Sequence, residues 1–153
     1  MLLLTDAKPI QLSPRRPAYQ QYAIVVPTDR TAAWLVPSLK RMVEFRARPA
    51  DWDGYGSPRV TAEAIDVANK LLESFSVYSL PKPEVFPVTG GGVGIVFLKD
   101  GRELEIELLP DGTSTFIKDS ASLADRPESE ASGIVTTVGV GSCDALALWL
   151  LGF

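Results

Sequence analysis

Two carboxylates stand two residues apart in the segment Asp51-Trp52-Asp53-Gly54-Tyr55-Gly56-Ser57-Pro58. Oxygen ligands in a glycine-rich loop suit a hard cation, but a calcium loop needs further carboxylates at fixed later positions and a closing Glu, which do not follow. No metal is expected there. Local structure gives these residues other work. Gly54 and Gly56 permit positive φ, Asp51 or Asp53 can accept hydrogen bonds from loop amides, and Trp52 and Tyr55 can pack over the loop and staple the flanking helices. The competing use of Trp52, Asp53 and Tyr55 is recognition, because aromatics are favoured contact residues.

Three further groups of residues invite chemical readings. Glu103, Glu105 and Glu107 alternate with Leu104, Ile106 and Leu108, which lines three carboxylates along one face of a strand. A catalytic acid/base pair would also need a nucleophile or electrophile, and nothing nearby supplies one. The row reads as a solvated face that would welcome Lys or Arg from a neighbouring strand or a partner. Cys143 sits near an expected helix start, but the chain contains no His, so no Cys–His nucleophile can form and a small buried Cys is expected. Thr89-Gly90-Gly91-Gly92-Val93-Gly94 has the glycines of a phosphate cradle. A strand, not a helix, follows it, and no Gly-Lys-Ser/Thr comes after, so a connecting loop is expected. The sequence therefore assigns no catalytic residue, no cofactor site and no metal site.

Composition points the same way. With 153 residues, 46% of them hydrophobic and 22% charged, the chain can build one domain with a core of its own. A net charge of −4 and only small basic clusters, Arg15-Arg16 and Lys40-Arg41 with Arg46 and Arg48, make nucleic acid an unfavoured partner. A single Cys gives no internal disulfide and no sign of an oxidising compartment. Met1-Leu2-Leu3-Leu4 is interrupted by Asp6 and Lys8-Pro9 before an apolar signal segment can form. The apolar run from Ala145 to Phe153 is too short to span a bilayer. The expectation is a cytoplasmic protein without membrane contact.

The elements follow from spacing. Pro9, Pro14 and Pro17 make residues 1–20 an extended arm, read either as a partly ordered terminus or as a strap on the domain or a partner. Residues 21–153 form one domain. Tyr22 to Val26 reads as a strand; residues 31–36 stay open between strand and helix; a helix follows Pro37 and stops at Pro49. Thr61 is the expected N-cap of a helix over 61–76, carried by Ala64, Ile65, Ala68, Leu71, Leu72 and Phe75. Glu84–Val88, Val93–Leu98, Arg102–Leu109 and Thr113–Lys118 read as a meander. Asp100-Gly101 and Pro110-Asp111-Gly112 are its turns. Residues 119–132 are expected to be a mobile loop, Ile134–Val140 a strand, and Ser142–Leu151 a short helix capped by Ser142. Its Leu146, Leu148, Trp149, Leu150 and Leu151, with Phe153 beyond, leave no polar side, so the tail is either sunk in the core or shared with another chain.

Asp51–Pro58, Ala62–Leu72, Pro87–Gly92 and Arg102–Gly112 together resemble a family of small uncharacterised bacterial proteins. Their shared pattern is Trp-Asp-Gly-Tyr-Gly-Ala, a helix, a Pro-rich link and a short meander with a Glu-Leu-Glu-Ile-like strand. The resemblance spans about residues 50–118, and Ser57 stands where the pattern has Ala. It implies a bacterial accessory-gene protein in a toxin–antitoxin or defence setting, and it carries over no catalytic residue.

The fold class expected is α+β: an antiparallel β meander with two main helices on one face and a short C-terminal helix. The function expected is non-enzymatic binding of another protein, as an antitoxin, immunity or defence-system subunit would do. The candidate contact residues are Trp52, Asp53, Tyr55, Glu103, Glu105, Glu107, Leu146, Trp149, Leu150 and Phe153. Two alternatives stand: a homo-oligomeric structural module using the apolar tail, and a small-molecule or nucleic-acid module centred on Trp52 and Tyr55.

Overall fold

The computed structural model describes residues 31–120, 131–134 and 140–153, with side chains for 31–120 and 143–153. The expected arm at 1–20 and the expected strand at Tyr22–Val26 lie outside the described residues.

The first helix, α1, spans Leu35–Ala47. Residues 31–36 turn at Ala33-Trp34 and enter it, and Pro37 falls in the first turn, where its missing amide hydrogen has no intrahelical partner to lose. Leu35, Ser38, Met42 and Phe45 recur at helical spacing and are buried. Arg48 leaves the helix in an extended conformation, as the residue before Pro49 must. The second helix, α2, spans Ala62–Phe75 and is capped as expected: the Thr61 hydroxyl accepts the Ala64 N–H at 3.1 Å. The same hydroxyl donates to the Pro110 carbonyl at 2.6 Å, so one side chain both starts the helix and ties it to a distant turn.

Five strands follow in sequence order: β1 (Glu84–Val88), β2 (Gly92–Lys99), β3 (Arg102–Leu108), β4 (Ser114–Ser120) and β5 (Ala131–Ile134). Each pairs antiparallel with the next, giving the sheet order β1-β2-β3-β4-β5. The β2–β3 turn holds Asp100 at φ 50° and Gly101 at φ 79°, the paired positive angles of the type I′ turn that Asp-Gly favours. Helix α3, Val140–Leu151, closes the described chain.

Three expected boundaries move. Asp119 and Ser120 continue β4 opposite Glu103 and Arg102, and Ala131 and Ser132 pair with Lys118 and Ile117, so the expected loop loses both ends to strands. Its residues 121–130 lie outside the described set. Of the expected strand Ile134–Val140, Ile134 belongs to β5 and Val140 to α3, and residues 135–139 lie outside the described residues. Ile134 pairs with Thr115, the second residue of β4. Helix α3 begins at Val140, which places Ser142 inside the helix instead of at its cap.

Alternation sorts the sheet. Val93, Ile95 and Phe97 of β2 and Leu104, Ile106 and Leu108 of β3 share one face and are fully buried beneath α2 and α3, with α1 packed against α2 and β1. Burying each such side chain is worth about 1.5–3 kcal/mol, and a one-residue slip of either strand would send its three to the opposite face, so this core fixes the register. Phe97 meets Phe75 at 5.1 Å and Trp34 edge-on at 5.8 Å, and the Trp34 indole donates to the Leu80 carbonyl. The architecture is α+β, an antiparallel meander with helices on one face. No helix among the described residues is long and apolar enough to cross a membrane.

Candidate functional site

The register that buries the core defines the opposite face residue by residue. Glu84 and Phe86 of β1, Gly94, Val96 and Leu98 of β2, Glu103, Glu105 and Glu107 of β3, and Ile117 and Asp119 of β4 all point away from the helices. Across the strands Glu84, Val96, Glu105 and Ile117 form one row; Leu98, Glu103 and Asp119 form another. The face thus carries carboxylates at Glu84, Glu103, Glu105, Glu107 and Asp119, and no strand position on it among the described residues is Lys or Arg. Leu98 is 59% exposed and Ile117 44% exposed, so no described element covers their end of it.

The cations that could neutralise the row are in the wrong phase. Arg102 and Lys118 belong to the core side of β3 and β4, where they stack on the Trp149 ring from 5.7 Å and 5.2 Å. Lys99 pairs with its neighbour Asp100 at 2.5 Å. Successive glutamates on one strand face stand about 7 Å apart and repel by about 0.6 kcal/mol per pair in water. Basic groups from outside are therefore the favourable complement.

One aromatic is seated on this face by a glycine. A Cβ at Gly94 would lie 2.3 Å from Phe86 Cε2 and 2.5 Å from Cζ, so the Phe86 ring lies directly over the bare Gly94 backbone of the neighbouring strand. The rest of the glycine run is structural. A Cβ at Gly91 would meet the Arg59 carbonyl at 2.9 Å, and the Gly91 carbonyl accepts the Thr61 amide hydrogen, so this turn docks against the start of α2 as a strand connection and not as a cradle.

The Asp51–Pro58 loop is closed by its own carboxylates. Asp51 accepts the Gly56 amide at 2.7 Å; Asp53 accepts the Tyr55 and Ser57 amides and the Ser57 hydroxyl. The Ser57 hydroxyl, then the Tyr55 amide, hold the Asp53 carboxyl below its ordinary value of 3.8. Gly54 and Gly56 take positive φ, 76° and 83°. Trp52 is half-buried against its own loop: its indole donates to the Pro58 carbonyl, and Arg48 stacks over both Trp52 and Phe45. Tyr55 does not pack over the loop as one reading expected. It stands 93% exposed on a loop whose turns are fixed.

The C-terminal tail divides. Leu146, Ala147, Leu148 and Leu150 are buried, so Leu146 and Leu150 are core residues and are not available as contact residues. Trp149 is half-buried beneath Arg102 and Lys118. Gly152, at φ 93°, ends α3 in a Schellman motif: its N–H donates to the Trp149 carbonyl and that of Phe153 to the Leu148 carbonyl. Phe153 is 65% exposed on this fixed stop.

Near the start of α3 the Tyr78 hydroxyl donates to the Asp144 carboxylate, and burial followed by that carboxylate raises the tyrosine's pKa. The Cys143 thiol beside it is pushed up to about 11, chiefly by burial and then by the Asp144 charge. A thiol so placed is a poor nucleophile at neutral pH. Among the described residues no three His, Cys, Asp or Glu side chains converge on a metal position.

Of the residues singled out in the sequence, the structure gathers Glu103, Glu105 and Glu107 on one open face, holds Asp53 and Trp52 within their loop, and exposes Tyr55 and Phe153. Sequence reasoning missed Glu84, Phe86, Val96, Leu98, Ile117 and Asp119 as members of the same face. Strand phase could have supplied them once the register was known. No family model, curated protein or solved structure matches the chain.

Proposed function

We propose that this chain is a non-enzymatic protein that binds another protein through the open, acidic face of its sheet. One observation carries the reading: a face with five carboxylates, no cation on its described strands, and apolar groups between the charges. Its complement is a surface of Lys and Arg interspersed with apolar side chains, where charge steers encounter and apolar contact holds. Such a face suits an antitoxin, immunity or defence-system subunit that covers a basic toxin or effector, in keeping with the bacterial setting that the Asp51–Gly112 resemblance implies. We assign it to the cytoplasm, for which a single buried Cys143 is suited.

Affinity capture from the source cell with mass spectrometry tests the proposal, comparing the native chain with the E103K/E105K/E107K variant. The expected result is a basic partner recovered by the native chain, released at about 0.5 M salt, and lost by the variant while its circular dichroism stays native. Equal recovery by both would refute it. Tyr55 offers a second contact, favoured by its 93% exposure on a fixed loop. Tyr55→Ala is then expected to weaken capture without changing stability.

A further inference from the structure

We infer that the open sheet face also receives helix α1 of a second copy of this chain. The inference shares with the proposed function the reading of that face as a contact surface, but names a different occupant. The outer side of α1 carries Val36, Lys40 and Val43, spaced four and three residues apart and so aligned on one ridge. Val36 is 60% exposed and Val43 68% exposed, large for apolar residues on a helix whose other side is core. Arg46, exposed in the last turn, adds a second positive charge beside Val43.

The ridge and the sheet face are complements. Each alternates apolar groups with charge, and the charges are opposite: Lys40 and Arg46 on α1, whose carboxylate Glu44 is neutralised by Arg41 at 2.8 Å, against Glu103, Glu105 and Glu107 on β3. Their lengths match. Thirteen helical residues extend about 20 Å and the seven residues of β3 about 23 Å. The contact cannot form within one copy, because α1 packs on the covered side of the same sheet. It must join two copies, either reciprocally about a two-fold axis or head to tail into open chains. A single helix ridge buries less than the roughly 1,200 Å² of a standard interface, so the association is weak and salt-sensitive.

Sedimentation velocity on the full chain across a concentration series tests the inference. Wild type is expected to rise in average mass with concentration at low salt and to fall to monomer at about 0.5 M salt. The helix variant K40E/R46E and the sheet variant E103K/E105K/E107K should each associate at least about tenfold more weakly. An equimolar mixture of the two should associate again, because each supplies the complement the other lost. Wild type that stays monomeric throughout, or a mixture that stays monomeric, would overturn the inference. K40E/R46E keeps the acidic face intact. Its capture of the basic partner should persist, so failure of self-association is separable from failure of the proposed function.

Discussion

Replacing Gly94 with Ala should destabilise this protein, although Ala suits a strand better than Gly. In an open strand the exchange gains about 0.5–1 kcal/mol, because Gly loses more backbone entropy on folding. Here the new Cβ would lie 2.3 Å from Phe86 Cε2, against a normal carbon–carbon contact of about 3.5–4.0 Å. The ring has to retreat by more than an ångström or swing into water. Phe86 is half-buried, and releasing its ring re-exposes on the order of 80 Å², worth about 2 kcal/mol at about 25 cal/mol/Å². The net loss is about 1 kcal/mol once the entropic gain is set against it. Urea denaturation reads it as a lower midpoint at unchanged slope. The decisive measurement is a double-mutant cycle with Phe86→Ala, where the ring is gone and Gly94→Ala becomes neutral or stabilising. The coupling expected is about 1.5–2 kcal/mol. A stabilising Gly94→Ala in the wild-type background, or the same effect in both backgrounds, would refute the seating of Phe86 on Gly94.

Thr61→Val keeps the shape but loses both the Ala64 N–H bond and the donation to Pro110, and should cost about 1.5 kcal/mol; calorimetry should show a Tm lower by about 3–6 °C, with Thr61→Ser close to wild type. Cys143, with its thiol at about 11, should react with a disulfide reagent at pH 8 about tenfold or more slowly in the native chain than in urea. Asp53 contributes stability that is present above its unfolded value of 3.8 and lost as pH falls through its lower folded value. The Tyr55 and Ser57 amide resonances should therefore shift in a titration below pH 3.8, and that step should vanish in Asp53→Asn.

What could be read in advance was local. The cap at Thr61, the stripe from Ala64 to Phe75 and the Asp100-Gly101 turn each depend on residues within one or two turns of chain, and the structure contains all three. The start of α3 was misread because Val140 and Gly141 have poor helix propensity, and burial of Leu146, Ala147 and Leu150 outweighs it. Long-range partners left no local trace. Nothing near Tyr78 announces Asp144, 66 residues away, and nothing near Gly94 announces Phe86 without the β1–β2 register. The same holds for the candidate site. The Glu103–Glu107 row was visible in its own strand, whereas its neighbours Val96, Leu98, Ile117 and Asp119 joined it only through cross-strand pairing.

Strand phase also explains why the acidic face meets no cation on the described strands. In Arg102-Glu103-Leu104-Glu105-Ile106-Glu107-Leu108 the arginine is in phase with the core residues, and in Thr115-Phe116-Ile117-Lys118 the lysine shares the phase of Phe116. Both cations are thereby spent on the helix side over Trp149, and three glutamates repel one another on the open side. An isolated domain would be more stable with one of these charges inverted, and a sequence that departs from such local optima tends to do so at a functional surface. Glu105→Lys isolates the effect. Glu105 lies between Glu103 and Glu107 along the strand and between Val96 and Ile117 across it. Lysine there turns two repulsions into attractions, a change of about 2.4 kcal/mol in water that screening across about 7 Å roughly halves, to about 1 kcal/mol. The expected outcome is a slightly higher urea midpoint together with weaker partner capture. A midpoint that falls, or capture that stays the same, would mean that the carboxylate row is ordinary solvated surface.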